Sequence, residues 1–264
     1  MAFIRQYQES DFDNMSHIVG SLVTLAALNH NPIRSPPTAH QCRETLPRSL
    51  CTSEPARRLA PYIWTHQYTL LSPSTCFVVD DGTGRAVGYC IGCPDTASFC
   101  AAYPQYVREV LEGRGRANGD VRLAPPPPDD DDSRLPWIDA DTGRISEQAL
   151  MQLAYSARRL LLLGSGGETL LREGYRGTMH IDLLPAYQRR GWGRRLLEAL
   201  VAAMKEQQDG GGLWLGVGVE NIKVLPFYEK LGFRVRDREA TAAASTIIMV
   251  RDYEEKDKES AVGM

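Results

Sequence analysis

The chain has 264 residues, 43% of them hydrophobic and 24% charged, enough apolar material for a substantial core in one or two domains. Its formal charge of −3, from 30 basic and 33 acidic side chains, excludes a dedicated nucleic-acid binder, in which positive charge has to dominate. No apolar run approaches the ~18–20 residues of a membrane span, and the opening MAFIRQYQESDFD lacks a basic-then-apolar leader, so a cytosolic or nuclear protein is expected.

Phe-Ile-Arg-Gln-Tyr at 3–7 reads as a first strand. Ser10 or Asp11 then caps a helix whose apolar positions Met15, Ile18, Val19, Leu22 and Leu25 recur at helical spacing. Residues 30–55, rich in Pro, Ser, Thr and Arg, read as a long loop, and Glu54-Pro55 opens a second helix through Tyr68 with Leu59, Tyr62 and Ile63 as its stripe. Thr75–Asp80 and Arg85–Gly92 are strands joined by the turn Asp81-Gly82-Thr83-Gly84. Of the six cysteines, Cys42, Cys51, Cys76, Cys90, Cys93 and Cys100, the pair Cys90-x-x-Cys93 has half a zinc spacing. The matching second half is missing and the pair sits in an apolar run, so these are expected as core or edge thiols, with no metal site and no disulfides.

Residues 94–177 form an insertion. Within it Tyr103–Leu111 is expected to be helical. Asn118–Pro136, which holds Pro125–Pro128 and Asp129–Asp132, is expected to be a disordered loop, because prolines beside aspartates have nothing to bury. Ser146–Leu163 reads as an amphipathic helix ended by Gly164-Ser165-Gly166-Gly167.

The stretch from Met179 to Phe233 carries the chemistry. Thr178–Leu184 alternates as a strand, with Met179, Ile181 and Leu183 on one side and His180, Asp182 and Leu184 on the other, and Pro185 ends its ladder. Gln188-Arg189-Arg190-Gly191-Trp192-Gly193 then leads into a helix with the stripe Leu196, Leu197, Leu200, Val201 and Met204. A helix start offers unpaired N–H groups and partial positive charge. Two glycines permit close backbone approach, and Arg189, Arg190, Arg194 and Arg195 add charge, so this turn suits a pyrophosphate. Asp209-Gly210-Gly211-Gly212 ends the helix, and the next strand, Leu213–Val219, has Leu213, Leu215, Val217 and Val219 on one face and Trp214, Gly216 and Gly218 on the other. A helix follows Asn221 and closes at Leu231-Gly232. Strands over Arg234–Arg238 and Thr246–Asp252 complete the pattern, and Glu254–Met264 is a charged tail.

Two motifs in this stretch, Gln188-x-x-Gly191-x-Gly193 after a strand and Asn221 through Phe227-Tyr228 to Leu231-Gly232-Phe233, resemble the GCN5-related N-acetyltransferase family. The family's strand and helix order also agrees with the N-terminal half. The resemblance implies one α/β domain over 1–253: a mixed, mostly antiparallel, seven-stranded twisted sheet flanked by helices. It implies acetyl-CoA as co-substrate, lying where the motif strand parts from its neighbour. Leu183 and Leu184 would then meet the pantetheine amides, Gln188 to Arg194 the pyrophosphate and Asn221 the cofactor, with Tyr228 bound near its sulfur. Arg189 stands where many relatives have glycine, which suits arginine if φ there is negative. A segment from Gly88 to Thr96, with His180 to Pro185, is similar to the acetyltransferase-like domain of some O-GlcNAc hydrolases and its free-standing microbial relatives. That likeness places Asp95 at the acceptor pocket.

The expected reaction is N-acetylation of a small amine or an exposed protein amine, by direct transfer in a ternary complex. Tyr228 is the candidate acid, since a phenol of pKa ~10 can protonate a thiolate of pKa ~8.5. Asp182 is the leading candidate base, with His180 and Glu220 behind it, and the N–H of Leu184 is a candidate donor to the developing oxyanion. The rival expectation is a catalytically silent acyl-CoA or protein-binding module of the same fold. A nucleotide-binding oxidoreductase is disfavoured because the third glycine of Gly-x-Gly-x-x-Gly is missing. Monomer and homodimer both remain open, and the sequence does not name the acceptor.

Overall fold

The computed structural model describes residues 1–19, 53–126, 135–136, 138–139, 142–163, 166–208, 210–236 and 246–253. Leu22, Leu25, most of the 30–55 stretch, the aspartates at 129–132, Cys42 and Cys51, Asp209 and the tail from 254 lie outside them, as does the side chain of Glu220.

Strand β1 (Phe3–Gln6) leads through a 3-10 turn into helix α1, helical over residues 12–19. Helices α2 (Glu54–Trp64) and α3 (His66–Leu71) are separated by a break at Thr65, where one continuous helix to Tyr68 was expected. Ser53 caps α2 with its side chain, and Leu59, Tyr62 and Ile63 are its buried stripe. Strands β2 (Cys76–Asp80) and β3 (Ala86–Cys93) form the hairpin foreseen from Asp81–Gly84.

Helix α4 (Thr96–Tyr106) starts earlier than its apolar spacing indicates, because the side chain of Asp95 accepts from the Ser98 N–H as N-cap. It continues as a wider π-helical coil over Val107–Gly115. The segment after it departs from the expectation of a disordered loop. Asp120 accepts a hydrogen bond from the Tyr62 hydroxyl at 2.7 Å, Arg58 donates to the Asp120 carbonyl, and Val121 is buried in the core. Helix α5 (Glu147–Tyr155), capped by Ser146, stops at Ser156 rather than running to Leu163. The Ser156 hydroxyl accepts from the Arg159 N–H and starts a separate π-helical turn, Arg158–Leu163. Helix α6 (Gly167–Arg172) precedes β4 (Tyr175–Leu183).

Helix α7 (Trp192–Lys205), β5 (Gly212–Gly218), a 3-10 segment (Val219–Val224), helix α8 (Leu225–Glu229), β6 (Arg234–Val235) and β7 (Thr246–Asp252) complete the chain. The seven strands form one sheet in the order β1-β2-β3-β4-β5-β7-β6, antiparallel at every pairing except β4 with β5.

Each face of the sheet has its own core. Leu196, Leu197, Leu200, Val201 and Met204 of α7 lie on one face against Val79, Val87, Cys90, Met179, Leu213, Leu215 and Val217. Tyr62, Ile63, Tyr68, Phe99, Tyr103, Tyr106 and Leu150, from the helices and the insertion, cover the other face over Tyr89, Ile91, Cys93 and Trp214. The three-residue spacing of Cys90 and Cys93 along a strand puts their thiols in opposite cores, both buried, which accounts for them as apolar packing. Arg5 bridges Asp11 (2.6 and 2.8 Å) and Asp80 (2.9 Å), tying β1 and β2 to the start of α1. No helix among the described residues is long and apolar enough to cross a membrane.

Candidate functional site

β4 and β5 begin side by side and then part. Their ladder runs from Tyr175↔Gly212 to Thr178↔Trp214 and stops, while β5 stays paired to β7 as far as Gly218↔Thr246 and β4 to β3 as far as Leu183↔Gly88. The unpaired edges enclose a cleft of about 190 Å³. Its walls are Met179 to Asp182 of β4 and Leu215 to Gly218 of β5, closed by Asn221, Val224 and Tyr228 on one side and by Val19 and Trp64 on the other. Four residues singled out from sequence, His180, Asp182, Asn221 and Tyr228, therefore meet in one cavity.

Hydrogen-bond alternation decides which backbone groups face it. The Leu184 N–H donates to the Val87 carbonyl at 2.9 Å, so in this antiparallel pair Leu184, Asp182 and His180 turn their main chain toward β3. Met179, Ile181 and Leu183 then turn theirs toward the gap. This corrects the expectation for Leu184. Its N–H is taken by Val87 and its carbonyl by the Tyr187 N–H at 2.8 Å, so it offers a ligand neither an amide pairing nor an oxyanion contact. Leu183 faces the gap, and its carbonyl already accepts from the Gln188 side chain at 2.8 Å. Gln188 thereby anchors the turn to the strand end.

That turn runs through a 3-10 segment, Pro185–Tyr187, to Gly191, which has φ 80° and stands as N-cap of α7. A left-handed residue is cheap only for glycine. Arg189 has φ 56°, the described chain's one non-glycine residue at positive φ. This corrects the expectation of negative φ and explains why glycine suits the position. Arg189, Arg190, Arg194 and Arg195 are all exposed. Arg195 lies over the Trp192 ring at 4.4 Å. At Gly193 a Cβ would come 3.1 Å from Phe227, so glycine lets α7 and α8 approach at this end of the cleft. The first N–H groups of α7 have no intrahelical partners.

The electrostatics inside the cleft follow from burial. Among the described residues Asp182 accepts one hydrogen bond, from the Tyr89 hydroxyl at 2.6 Å, and has no cationic partner. Burial, partly offset by that bond, pushes its carboxyl up to about 7. Burial holds His180 down to about 4, so its imidazole is neutral, and its ring lies 5.5 Å from that of Tyr68. The Tyr228 phenol is raised by burial, then by Asp182 and Cys90, and keeps its proton. The Oδ1 of Asn221 is buried without a hydrogen-bond partner, an unmet acceptor at the cleft wall.

Asp95 is not brought to this cleft. It caps α4 and is ion-paired to Arg176, at the opposite end of β4 from Asp182. Positions 176 and 182 are about 20 Å apart at the ~3.3 Å rise of a strand residue. Sequence reasoning also passed over Trp64, Val19 and Tyr89. Trp64 reaches the cleft because its helix breaks immediately after it, and Tyr89 meets Asp182 only through cross-strand register.

Residues 128–233 match the model of the acetyltransferase (GNAT) family. The N-alpha-acetyltransferase of Sulfurisphaera tokodaii is 38% identical over 66 residues, which cover 25% of this chain and 38% of that protein's length. The crystal structure of SsHAT superposes with a TM-score of 0.65 at 25% identity, covering 96% of this chain and 99% of the other. The PaiA N-acetyltransferase of Thermoplasma acidophilum, in complex with coenzyme A, superposes with a TM-score of 0.44 at 13% identity, covering 96% and 99%. The fold is the GNAT acyltransferase fold, with its mixed seven-stranded sheet and flanking helices.

Proposed function

We propose that this chain is an acetyl-CoA-dependent N-acetyltransferase of the GNAT family, moving an acetyl group onto a primary amine by direct transfer in a ternary complex. The observation that carries the proposal is the parting of β4 from β5 after Thr178, which sets Asp182, His180, Asn221 and Tyr228 around one cleft beside the glycine-capped start of α7. The residues fit such a donor. Main-chain groups of Ile181 and the N–H of Leu183, which face the gap, can pair with amides. The unmet Oδ1 of Asn221 can accept from one. The N–H groups of Trp192, Gly193 and Arg194, with Arg189 and Arg190, can hold a pyrophosphate.

When bound, acetyl-CoA supplies the activated acetyl thioester. An alkylammonium of pKa ~10.4 is only about one part in 10³ neutral near pH 7, so the amine has to lose a proton before it can attack. Asp182, which lines the cleft, takes that proton as general base, and a carboxyl near 7 is well matched to the task. The neutral His180, i + 2 from Asp182 on the same face, orients the amine by hydrogen bonding. The protonated Tyr228 hydroxyl delivers a proton to the departing sulfur as the C–S bond breaks. The finer likeness to the acetyltransferase-like domain of O-GlcNAc hydrolases, carried by Gly88 to Thr96 and His180 to Pro185, is part of this reading. Asp95 is left with a structural role in it.

Calorimetric titration with acetyl-CoA, beside an Arg190→Glu/Gly193→Asp variant, tests the donor site. Micromolar binding that the variant loses is expected, and no binding by the intact chain would overturn the proposal. Tyr228→Phe tests the chemistry. It should lower kcat by about 10²–10⁴-fold with acetyl-CoA affinity retained, whereas a catalytically silent binder would show no turnover to lose.

A further inference from the structure

We infer that Tyr89 is a positioning residue for acetyl transfer, holding the carboxylate of Asp182 by its Oδ2 so that Oδ1 is presented to the acceptor amine. The inference rests on Asp182 being the base. It starts from register: Tyr89 of β3 lies directly opposite Asp182 of β4, on the face covered by the helices. The Tyr89 side chain is fully buried, and its hydroxyl donates to Asp182 Oδ2 at 2.6 Å. Thr65, at the break between α2 and α3, brings its Oγ1 to 3.4 Å from the same hydroxyl. The ring is thus fixed by packing and the hydroxyl is fixed from two sides, which is the support a base needs if its geometry is to hold through turnover.

Asp182 needs that support because nothing else supplies it. The titratable groups facing it are Tyr89 and Cys90 of β3, His180 of β4 itself and Tyr228 of α8, and among the described residues it has no ion pair. None of the four is a cation at neutral pH. Burial raises Tyr89, Cys90 and Tyr228 and lowers His180. Among the described residues the only hydrogen bond to the carboxylate comes from a phenol that keeps its proton. A donor to an anion favours the ionised form, so Tyr89 restrains the rise that burial imposes on Asp182. Without it the carboxyl would be protonated at working pH, and its rotamer would be free.

Tyr89→Phe keeps the buried ring and removes only the hydroxyl. The acid limb of kcat/KM is expected to move to higher pH by about one to two pH units, with activity above that limb within a few-fold of the parent. Acetyl-CoA affinity by calorimetry should be unchanged. A ¹³C carboxyl NMR titration of the ligand-free protein, with the Asp182 resonance assigned through Asp182→Asn, should show the same upward displacement without any turnover. That readout separates the two ideas: an inactive parent protein would sink the transferase reading while the titration still decides what Tyr89 does. A limb and a carboxyl titration that stay where they are in Tyr89→Phe, with kcat/KM unchanged across the profile, would overturn the inference.

Discussion

Arg189 and Asp182 show how single residues here are kept in states they would not choose alone. Left-handed backbone costs an ordinary residue about 1–2 kcal/mol, and Arg189 holds it at φ 56° with its side chain in solvent, where no packing compensates. Strain of this kind is tolerated at functional turns, and a guanidinium beside the phosphate site proposed above would be the reason to tolerate it. Arg189→Gly should therefore separate the two effects. Stability in urea is expected to rise by roughly 0.5–1 kcal/mol, the strain relief less the extra chain entropy of glycine. Acetyl-CoA affinity should fall, and fall less in high salt, where an exposed charge contributes little in either protein. A variant both less stable and equally tight would show that the arginine serves neither purpose. Asp182 is the inward counterpart. Burial makes its charge expensive, and the same burial moves its proton affinity to the range a base needs at neutral pH.

The elements position these residues by how closely they can stack. Gly92 of β3 lies where a Cβ would stand 2.7 Å from Met204 Cε of α7 and closer still to the Thr178 carbonyl of β4. The backbone oxygen cannot yield without disturbing the β3–β4 ladder, at the level where β4 is about to leave β5. Gly92→Ala is expected to cost about 1–3 kcal/mol by overpacking, read as a lower urea midpoint at unchanged slope. An unchanged midpoint would mean that the β3–β4 ladder yields at this level without cost. Local chemistry made much of this architecture legible in advance. The Asp81–Gly84 hairpin, the α7 stripe and the glycine at the helix start each depend on neighbours in sequence, and each stands where expected. What was not legible depends on distant partners. The pairing of Tyr89 with Asp182 is a register effect across 93 positions. The place of Trp64 in the cleft follows from a helix break that its own periodicity conceals. Asp95 looked like a pocket residue and is a helix cap, because Ser98 three positions on offers its N–H.

For the whole molecule, the two cores on either side of the sheet differ in kind, and the difference sets its response to acid. The α7 side is largely aliphatic, whereas the helical side buries a set of aromatic and titratable groups. His66 is among them, stacked on Phe12 with ring centroids 3.6 Å apart and bonded to the Ser16 hydroxyl at 2.8 Å. Burial, with Arg114 adding to it, holds His66 down to about 3, and burial holds His180 down to about 4. Unfolded, both would titrate near 6.5, so in weak acid the unfolded chain binds two protons that the folded chain refuses. That difference lowers stability as pH falls through 6.5. Asp182 works in the opposite sense. Its folded carboxyl titrates near 7 and its unfolded one near 3.8, so it binds a proton on folding in the same interval and adds stability as pH falls. Two histidines against one aspartate leave a net excess of one proton in the unfolded state, worth about 1.4 kcal/mol per pH unit. Urea unfolding should therefore show stability dropping by roughly 1–2 kcal/mol between pH 6 and pH 5, before the paired carboxylates such as Asp80 begin to protonate. His180→Asn removes one of the two refused protons and should flatten the profile in that interval. Asp182→Asn removes the opposing term and should steepen it to about 2.7 kcal/mol per pH unit. Equal slopes in the three proteins would show that neither side chain is as buried in solution as the cleft geometry requires.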